Sequence, residues 1–196
     1  MKRRLLILLL LSIPWQAFAF LTVQLNLEQL TILAERVFVG RCVDLREGRD
    51  RNGRPVQYVT FQVYETLKGP EADQVTFKQI LLKTDEAEGR FTATTSFSQL
   101  PSYQVGEEAV VFLSEPSEIG FTAPVGLSQG KFVIETDAAG KRWVKNGLGN
   151  RGLFRGLRSS PRVKSLPLSS SQKAQLRGDR RTLSYEDLVS WVGKLK

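Results

Sequence analysis

Residues 58–67 alternate between apolar and other side chains, and this pattern constrains the fold more than any other feature. One face of "YVTFQVYETL" is apolar and carries Val59, Phe61, Val63 and Leu67. Such a two-residue period is that of a half-buried β-strand. Lys68-Gly69-Pro70 follows, where glycine allows an unusual φ and proline blocks further pairing. The segment therefore predicts a sheet protein, with a corner at the end of this strand.

Turn signals separate several other short segments with strand patterns. We predict strands at residues 37–45, 74–82, 109–113, 121–125, 131–136 and 142–145. Asn52-Gly53 is a hairpin turn signal because both residues tolerate positive φ. In front of the strands, Asn26 and Gln29 form a capping-box pattern that predicts a helix at residues 27–36. Since no helix–strand units alternate, we predict a mainly β fold, a small antiparallel OB-like barrel or sandwich with one N-terminal helix.

Residues 1–19 have the pattern of an export signal. Three basic residues are followed by an apolar run at 5–13 and by Ala17-Phe18-Ala19, the small-x-small sequence that a signal peptidase recognises. The apolar run is about half of the ~20 residues that a transmembrane helix needs. We therefore expect a mature chain that begins at Phe20, is periplasmic or secreted, and has no transmembrane anchor after cleavage.

The chain contains no histidine and one cysteine, Cys42. Without histidine, Ser-His-Asp and Cys-His nucleophilic sites, the usual zinc sites and histidine haem ligation are excluded. A single cysteine permits no disulfide within the chain, and its place in an apolar strand predicts a buried thiol. We expect no catalytic residue, cofactor or metal.

The composition changes after Lys145. Residues 146–182 are rich in glycine, serine and arginine, and residues 183–196 form an amphipathic helix pattern that Ser184 can cap. Fourteen basic and three acidic residues lie between 141 and 196, whereas residues 20–140 hold eleven basic and seventeen acidic ones. We predict a barrel domain at 20–145, a basic linker at 146–182 and a terminal helix at 183–196.

Two sets of residues are candidate binding residues. The long polar passage at 83–104 and the terminal helix suggest a partner surface with Arg90, Phe91, Phe97, Tyr103 and Trp191. The linker suggests an anionic surface site with Arg151, Arg155, Arg158, Arg162, Lys164, Arg180 and Arg181. Anionic lipid or cell-wall polymer is the expected ligand of these cations, since an exported protein rarely meets nucleic acid. A solvated linker without a ligand explains the same composition equally well.

Three short motifs have stronger structural than catalytic explanations. "GLGNRG" at 147–152 matches a dinucleotide fingerprint, but the residues after it do not form a helix pattern. "SQGK" at 128–131 matches S-x-x-K, yet Gly130 and the strand pattern that follows predict a turn and a strand start. Glu107 and Glu108 are paired carboxylates, the minimum for a carboxylate-dependent hydrolase.

The segments "LNLEQLTILAERVFVGRCVDL", "GRPVQYVTFQVYETLKG", "YQVGEEAVVFL" and "PVGLSQGKFVI" resemble a family of exported, largely uncharacterised bacterial proteins. More distantly, the order of a first strand, a second strand ending in Lys-Gly and a later "VGE" strand is similar to netrin-like modules, which include the tissue inhibitors of metalloproteinases. That resemblance implies an OB-type barrel that binds proteins, often proteases. The inhibitors use an N-terminal cysteine on the target zinc, and the expected terminus here is Phe20, so no residue inherits this mechanism.

These observations lead to three functional hypotheses. The first is an exported, non-enzymatic module that binds a protein in the cell envelope or outside it, with a secreted protease as one candidate. The second is an envelope-associated protein whose basic segment binds anionic lipid or cell-wall polymer. The third is a hydrolase that uses Glu107 and Glu108.

Overall fold

The computed structural model describes residues 23–81, 100–178 and 181–196. The strands are β1 (Arg36–Arg49), β2 (Pro55–Lys68), β3 (Gln74–Ile80), β4 (Glu108–Leu113), β5 (Lys131–Thr136) and β6 (Arg142–Asn146). The helices are α1 (Leu27–Leu33), α2 (Pro161–Lys164), α3 (Ser170–Gln175) and α4 (Tyr185–Leu195). The strands form one antiparallel sheet in the order β3-β2-β1-β4-β5-β6. The prediction of a mainly β, antiparallel fold with an N-terminal and a C-terminal helix is confirmed.

The predicted hairpin and capping box are both present. A tight turn joins β1 to β2, and the Asp50 carboxylate accepts hydrogen bonds from the backbone N–H groups of Asn52 and Arg54, both at 2.9 Å. At the start of α1, the Asn26 side chain accepts from the Gln29 N–H, and the Gln29 side chain accepts from the Asn26 N–H. Local sequence patterns therefore set the chain direction at both places.

Residues 121–125 do not form the predicted strand. Only single bridges occur there, a parallel one between Lys78 and Phe121 and an antiparallel one between Leu113 and Pro124. The segment lies between β3 and the end of β4, and it links these two strands through single bridges without a continuous ladder. The sheet is not closed, and the expected barrel is therefore only approximated.

Each face of the sheet packs its own hydrophobic core. Because neighbouring strand residues point to opposite faces, Val37 and Val39 enter one core while Phe38 enters the other. The inner core lies within the curled sheet and includes Phe61, Phe77, Tyr103 and Val111. The outer core lies between the sheet and the helices. It includes Leu27, Leu30, Phe112, Phe132, Leu188, Trp191 and Leu195.

The described part of residues 146–182 is folded, which corrects the expected linker. Leu153, Phe154, Leu157 and Val163 are buried in the outer core. Short turns and the helices α2 and α3 place these four side chains inward and the charged ones outward. The segment is therefore an additional layer of the domain, whose few apolar residues are hidden by a composition typical of linkers.

The corner after β2 attaches α1 to the sheet. Lys68 Nζ donates hydrogen bonds to the carbonyl oxygens of Thr31, Ile32 and Ala34, at 2.8, 3.2 and 2.6 Å. These carbonyls lie at the C-terminal end of α1, where helix carbonyls lack intrahelical partners and a cation is favourable. Gly69 has φ +87. The Lys-Gly corner thus has a structural role.

Within residues 23–81, 100–178 and 181–196, no helix is both long enough and apolar enough to span a bilayer.

Candidate binding cleft along β3

β3 is an edge strand of the sheet, and half of its backbone N–H and C=O groups point away from β2. Val63 N–H donates to the Asp73 carbonyl at 2.9 Å, and Leu81 N–H donates to the Pro55 carbonyl at 3.1 Å. Hydrogen-bonded pairs alternate in an antiparallel ladder, so the odd-numbered residues of β3 face β2. The N–H and C=O groups of Thr76 and Lys78 therefore point outward.

At Lys78 the outward side of β3 is occupied by the turn at residues 117–122. The Lys78 carbonyl accepts a hydrogen bond from Thr122 N–H at 3.0 Å. Its ammonium donates to the Ile119 carbonyl at 2.8 Å and lies 4.4 Å from the centre of the Phe121 ring. Lys78 therefore holds this turn against β3.

Next to this point, a cleft of about 600 Å³ opens along β3. One wall is formed by Val75, Thr76, Phe77 and Lys78, and the opposite wall includes Leu113, Ser114, Pro116 and Thr122. Within the described residues, no strand pairs with Thr76 on this side. Its side-chain hydroxyl is 3.0 Å from the hydroxyl of Thr60. The cleft therefore exposes the backbone of a strand beside partly apolar walls.

A buried ion pair lies at another end of the sheet. Lys131 Nζ is 2.5 Å from Glu107 Oε1, and the two side chains are 7% and 16% exposed. The same ammonium donates to the Ser102 carbonyl and lies 4.5 Å from the centre of the Tyr103 ring. Because Lys131 has partners on three sides, it is a structural cation and is poorly placed to act as a base.

Burial and the Glu107 charge suppress ionisation around this ion pair. Burial, and then the nearby Glu107 charge, raise the pKa of the Cys42 thiol, with Lys131 acting in the opposite direction. Burial is also the main cause of the strongly raised pKa of Tyr103, with Glu107 contributing. Cys42 is 0% exposed, as expected from its strand position. The Cys42 thiol and the Tyr103 hydroxyl are therefore neutral at physiological pH.

The paired carboxylates Glu107 and Glu108 point to opposite faces of the sheet. Glu107 reaches Lys131 on the side of the inner core, whereas Glu108 lies 2.8 Å from Arg41 on the other side. Two carboxylates on opposite faces do not converge on one substrate as acid and base must. In "SQGK", Ser128 lies in a 3-10 turn and Lys131 begins β5, which confirms the predicted turn and strand start.

The predicted partner-surface residues do not form a surface. Arg90, Phe91 and Phe97 lie outside the described residues. Tyr103 and Trp191 are buried, at 7% and 0% exposure, because their rings fill the inner and outer core. Trp191 Nε1 donates to Gln175 Oε1 at 2.6 Å. Both aromatic side chains stabilise the fold, which corrects their expected exposure.

Among the described residues, the basic side chains predicted to bind an anionic surface lie on the outside of the protein, unlike Tyr103 and Trp191. Arg151, Arg155, Arg158, Arg162, Lys164 and Arg181 are all exposed, and Arg180 lies outside the described residues. The first five project from the folded layer at residues 146–164.

The β3 cleft was missed by the sequence interpretation. A strand was predicted at 74–82, and β3 covers Gln74–Ile80 of it. Its position at the edge of the sheet depends on strand pairing, which residue patterns do not show. Pro116 and Gly120 signal a turn after β4 and are the local clue to the opposite wall.

No known protein-family model matches the chain, and no curated protein is significantly similar to it.

Proposed function

We propose that the protein is an exported, non-enzymatic module that binds an extended segment of a protein partner in the β3 cleft. The observation that carries the proposal is the outward backbone of Thr76, which has no partner strand among the described residues and borders a cleft of about 600 Å³. An open edge strand of this kind can accept a peptide as an additional strand. Backbone hydrogen bonds then give affinity and side-chain pockets give specificity.

The walls define what such a segment must look like. Val75 and Phe77 on one wall and Leu113 on the other belong to the inner core, so both walls are partly apolar. Ser114 and Thr122 also line the opposite wall, where their hydroxyl groups bond to each other and to the carbonyls of Ala123 and Ser114. The fitting partner is a short extended peptide with an apolar side chain directed at Val75, Phe77 and Leu113. The resemblance to netrin-like modules, whose members bind proteins, supports a partner of this class.

Proline substitution at Thr76 tests the proposal. Thr76→Pro removes the outward N–H and the side-chain hydroxyl that contacts Thr60, but it removes no backbone hydrogen bond between β2 and β3. Proline is tolerated at outward positions of edge strands. Peptides selected from a displayed library against the chain at 20–196 serve as probes, and calorimetry measures their affinity. We expect Thr76→Pro to weaken binding about tenfold, the equivalent of one hydrogen bond of ~1.4 kcal/mol.

Ile80→Pro is the matched control, because Ile80 is an outward position of the same strand but does not line the cleft. It should leave the affinity unchanged. Hydrogen exchange of the wild-type Thr76 amide should slow when the peptide binds. Equal affinity for both proline variants, or unchanged exchange at Thr76, would show that peptides bind elsewhere.

A further inference from the structure

Residues 146–178 contain seven basic residues and no acidic residue. The seven are Arg151, Arg155, Arg158, Arg162, Lys164, Lys173 and Arg177, and every one of them is exposed. In a solvated linker these charges would move independently. Here they project from a folded layer, so their positions relative to one another are fixed by the backbone.

A series of overlapping turns holds the first part of this layer. Backbone hydrogen bonds run from Arg151 to Leu148, from Arg155 to Gly152 and from Ser159 to Gly156, at 3.3, 3.0 and 3.0 Å. Gly152 and Gly156 adopt positive φ, which glycine permits at little cost. The apolar residues between the arginines face the outer core, so the arginine side chains lie on the solvent side.

The N-terminal segment attaches these turns to the domain. Gln24 Nε2 donates to the Arg151 carbonyl at 2.7 Å, and Asn26 Nδ2 donates to the Arg155 carbonyl at 3.0 Å. Leu27 N–H donates to the Leu153 carbonyl at 2.8 Å. Because the backbone under the arginines is already ordered, binding costs little conformational entropy there.

The arginine charges are available to a ligand. Ion pairs in the described residues join Arg41 to Glu108, Arg46 to Asp44, Lys131 to Glu107 and Arg142 to Glu186. None of them involves Arg151, Arg155 or Arg158. Arg162 is partly engaged, since its Nη1 donates to the Leu195 carbonyl at 2.8 Å.

We propose that Arg151, Arg155 and Arg158, together with the exposed Lys164 of α2, form an arginine surface that docks on anionic lipid headgroups. Guanidinium groups bind phosphate oxygens in a bidentate manner, and several cations without intervening acids suit a plane of negative charge. Phe154, the one aromatic residue of the stretch at 146–178, is buried, so this stretch presents no exposed ring for stacking nucleic-acid bases. The inference does not depend on the β3 cleft.

Vesicle co-sedimentation of the chain at 20–196 tests the docking. Phosphatidylcholine vesicles are compared with vesicles that also contain phosphatidylglycerol, at low and at high salt. The variant Arg151→Gln/Arg155→Gln/Arg158→Gln removes the proposed contacts. Each basic residue near an anionic membrane contributes about fivefold in affinity, so we expect a loss of about a hundredfold on anionic vesicles.

The matched control is Arg49→Gln/Arg51→Gln/Arg54→Gln, which removes three exposed charges at the β1–β2 turn and breaks no ion pair between described residues. It should reduce the affinity less than about fivefold, through net charge alone. Urea denaturation verifies that both variants fold. Equal losses in the two variants would overturn the proposal. It would also be overturned by equal binding to both vesicle types, or by binding to soluble polyphosphate with no binding to vesicles.

Discussion

Gly69 allows β2 to end directly against α1. Its φ is +87, and a Cβ atom at this position would lie 2.7 Å from the Glu35 carbonyl oxygen. Two separate demands therefore act on one residue, a backbone angle that L-residues rarely adopt and a close approach to another backbone segment. The neighbouring Lys68 then reaches the carbonyls at the end of α1.

Alanine substitution separates these two demands. Gly140 also has positive φ, +79, but nothing lies within 4 Å of its Cβ position. We expect Gly140→Ala to lower the free energy of unfolding by about 1 kcal/mol, the cost of the left-handed backbone. Gly69→Ala should lower it by roughly 2–4 kcal/mol, because the clash with Glu35 adds to the same cost. Urea denaturation measures both, and equal losses would mean that the chain relieves the clash freely.

At the level of secondary-structure elements, the start of β4 places one carboxylate on each face of the sheet. Glu107 and Lys131 are largely buried, at 16% and 7% exposure. Glu108 and Arg41 are 34% and 51% exposed. Breaking a buried pair leaves a charge without a partner in a poorly solvated site, whereas water replaces the partner in an exposed pair.

Replacing each carboxylate by glutamine therefore gives a direct comparison. We expect Glu107→Gln to lower the free energy of unfolding by about 3–5 kcal/mol. Glu108→Gln should lower it by less than ~1 kcal/mol. The double variant Glu107→Leu/Lys131→Met should recover much of the first loss, since it leaves no unpaired charge. Urea denaturation measures all three, and similar effects of the two glutamine variants would contradict the assigned burial.

The elements that were predictable are those with a local pattern. The alternation at 58–67 and the Asn26–Gln29 capping box depend on neighbouring residues, and both agree with the structure. Residues 121–125 have an apolar pattern but pair at single points, because pairing is decided by the distant residues Lys78 and Leu113. The cleft depends on the same non-local pairing. The arginine residues were predicted as binding candidates. Their backbone is held in place by hydrogen bonds from Gln24 and Asn26, which are distant in sequence, so a local pattern does not show that it is ordered.

On the scale of the whole molecule, the C-terminal segment completes the outer core. Leu183, Leu188, Trp191 and Leu195 are at most 1% exposed and pack with α1 and the sheet. Val144 N–H donates to the Leu183 carbonyl at 2.9 Å, which joins this segment to β6. A chain that ends at Lys145 would lose its folded layer as well as its charges. Truncation there therefore cannot test the proposed membrane binding separately from folding, whereas substitution of the arginines can.

Removal of α4 tests this dependence. A chain that ends at Arg181 exposes the outer face of the sheet, including Phe112 and Phe132, to water. We expect it to lose a cooperative urea transition and to bind the dye ANS, as proteins without fixed packing do. Leu188→Ala is the graded control and should lower the free energy of unfolding by about 3 kcal/mol while the transition stays cooperative. If the truncated chain kept a sharp transition at the wild-type midpoint, the sheet and α1 would fold without α4, and the C-terminal segment would be an accessory layer.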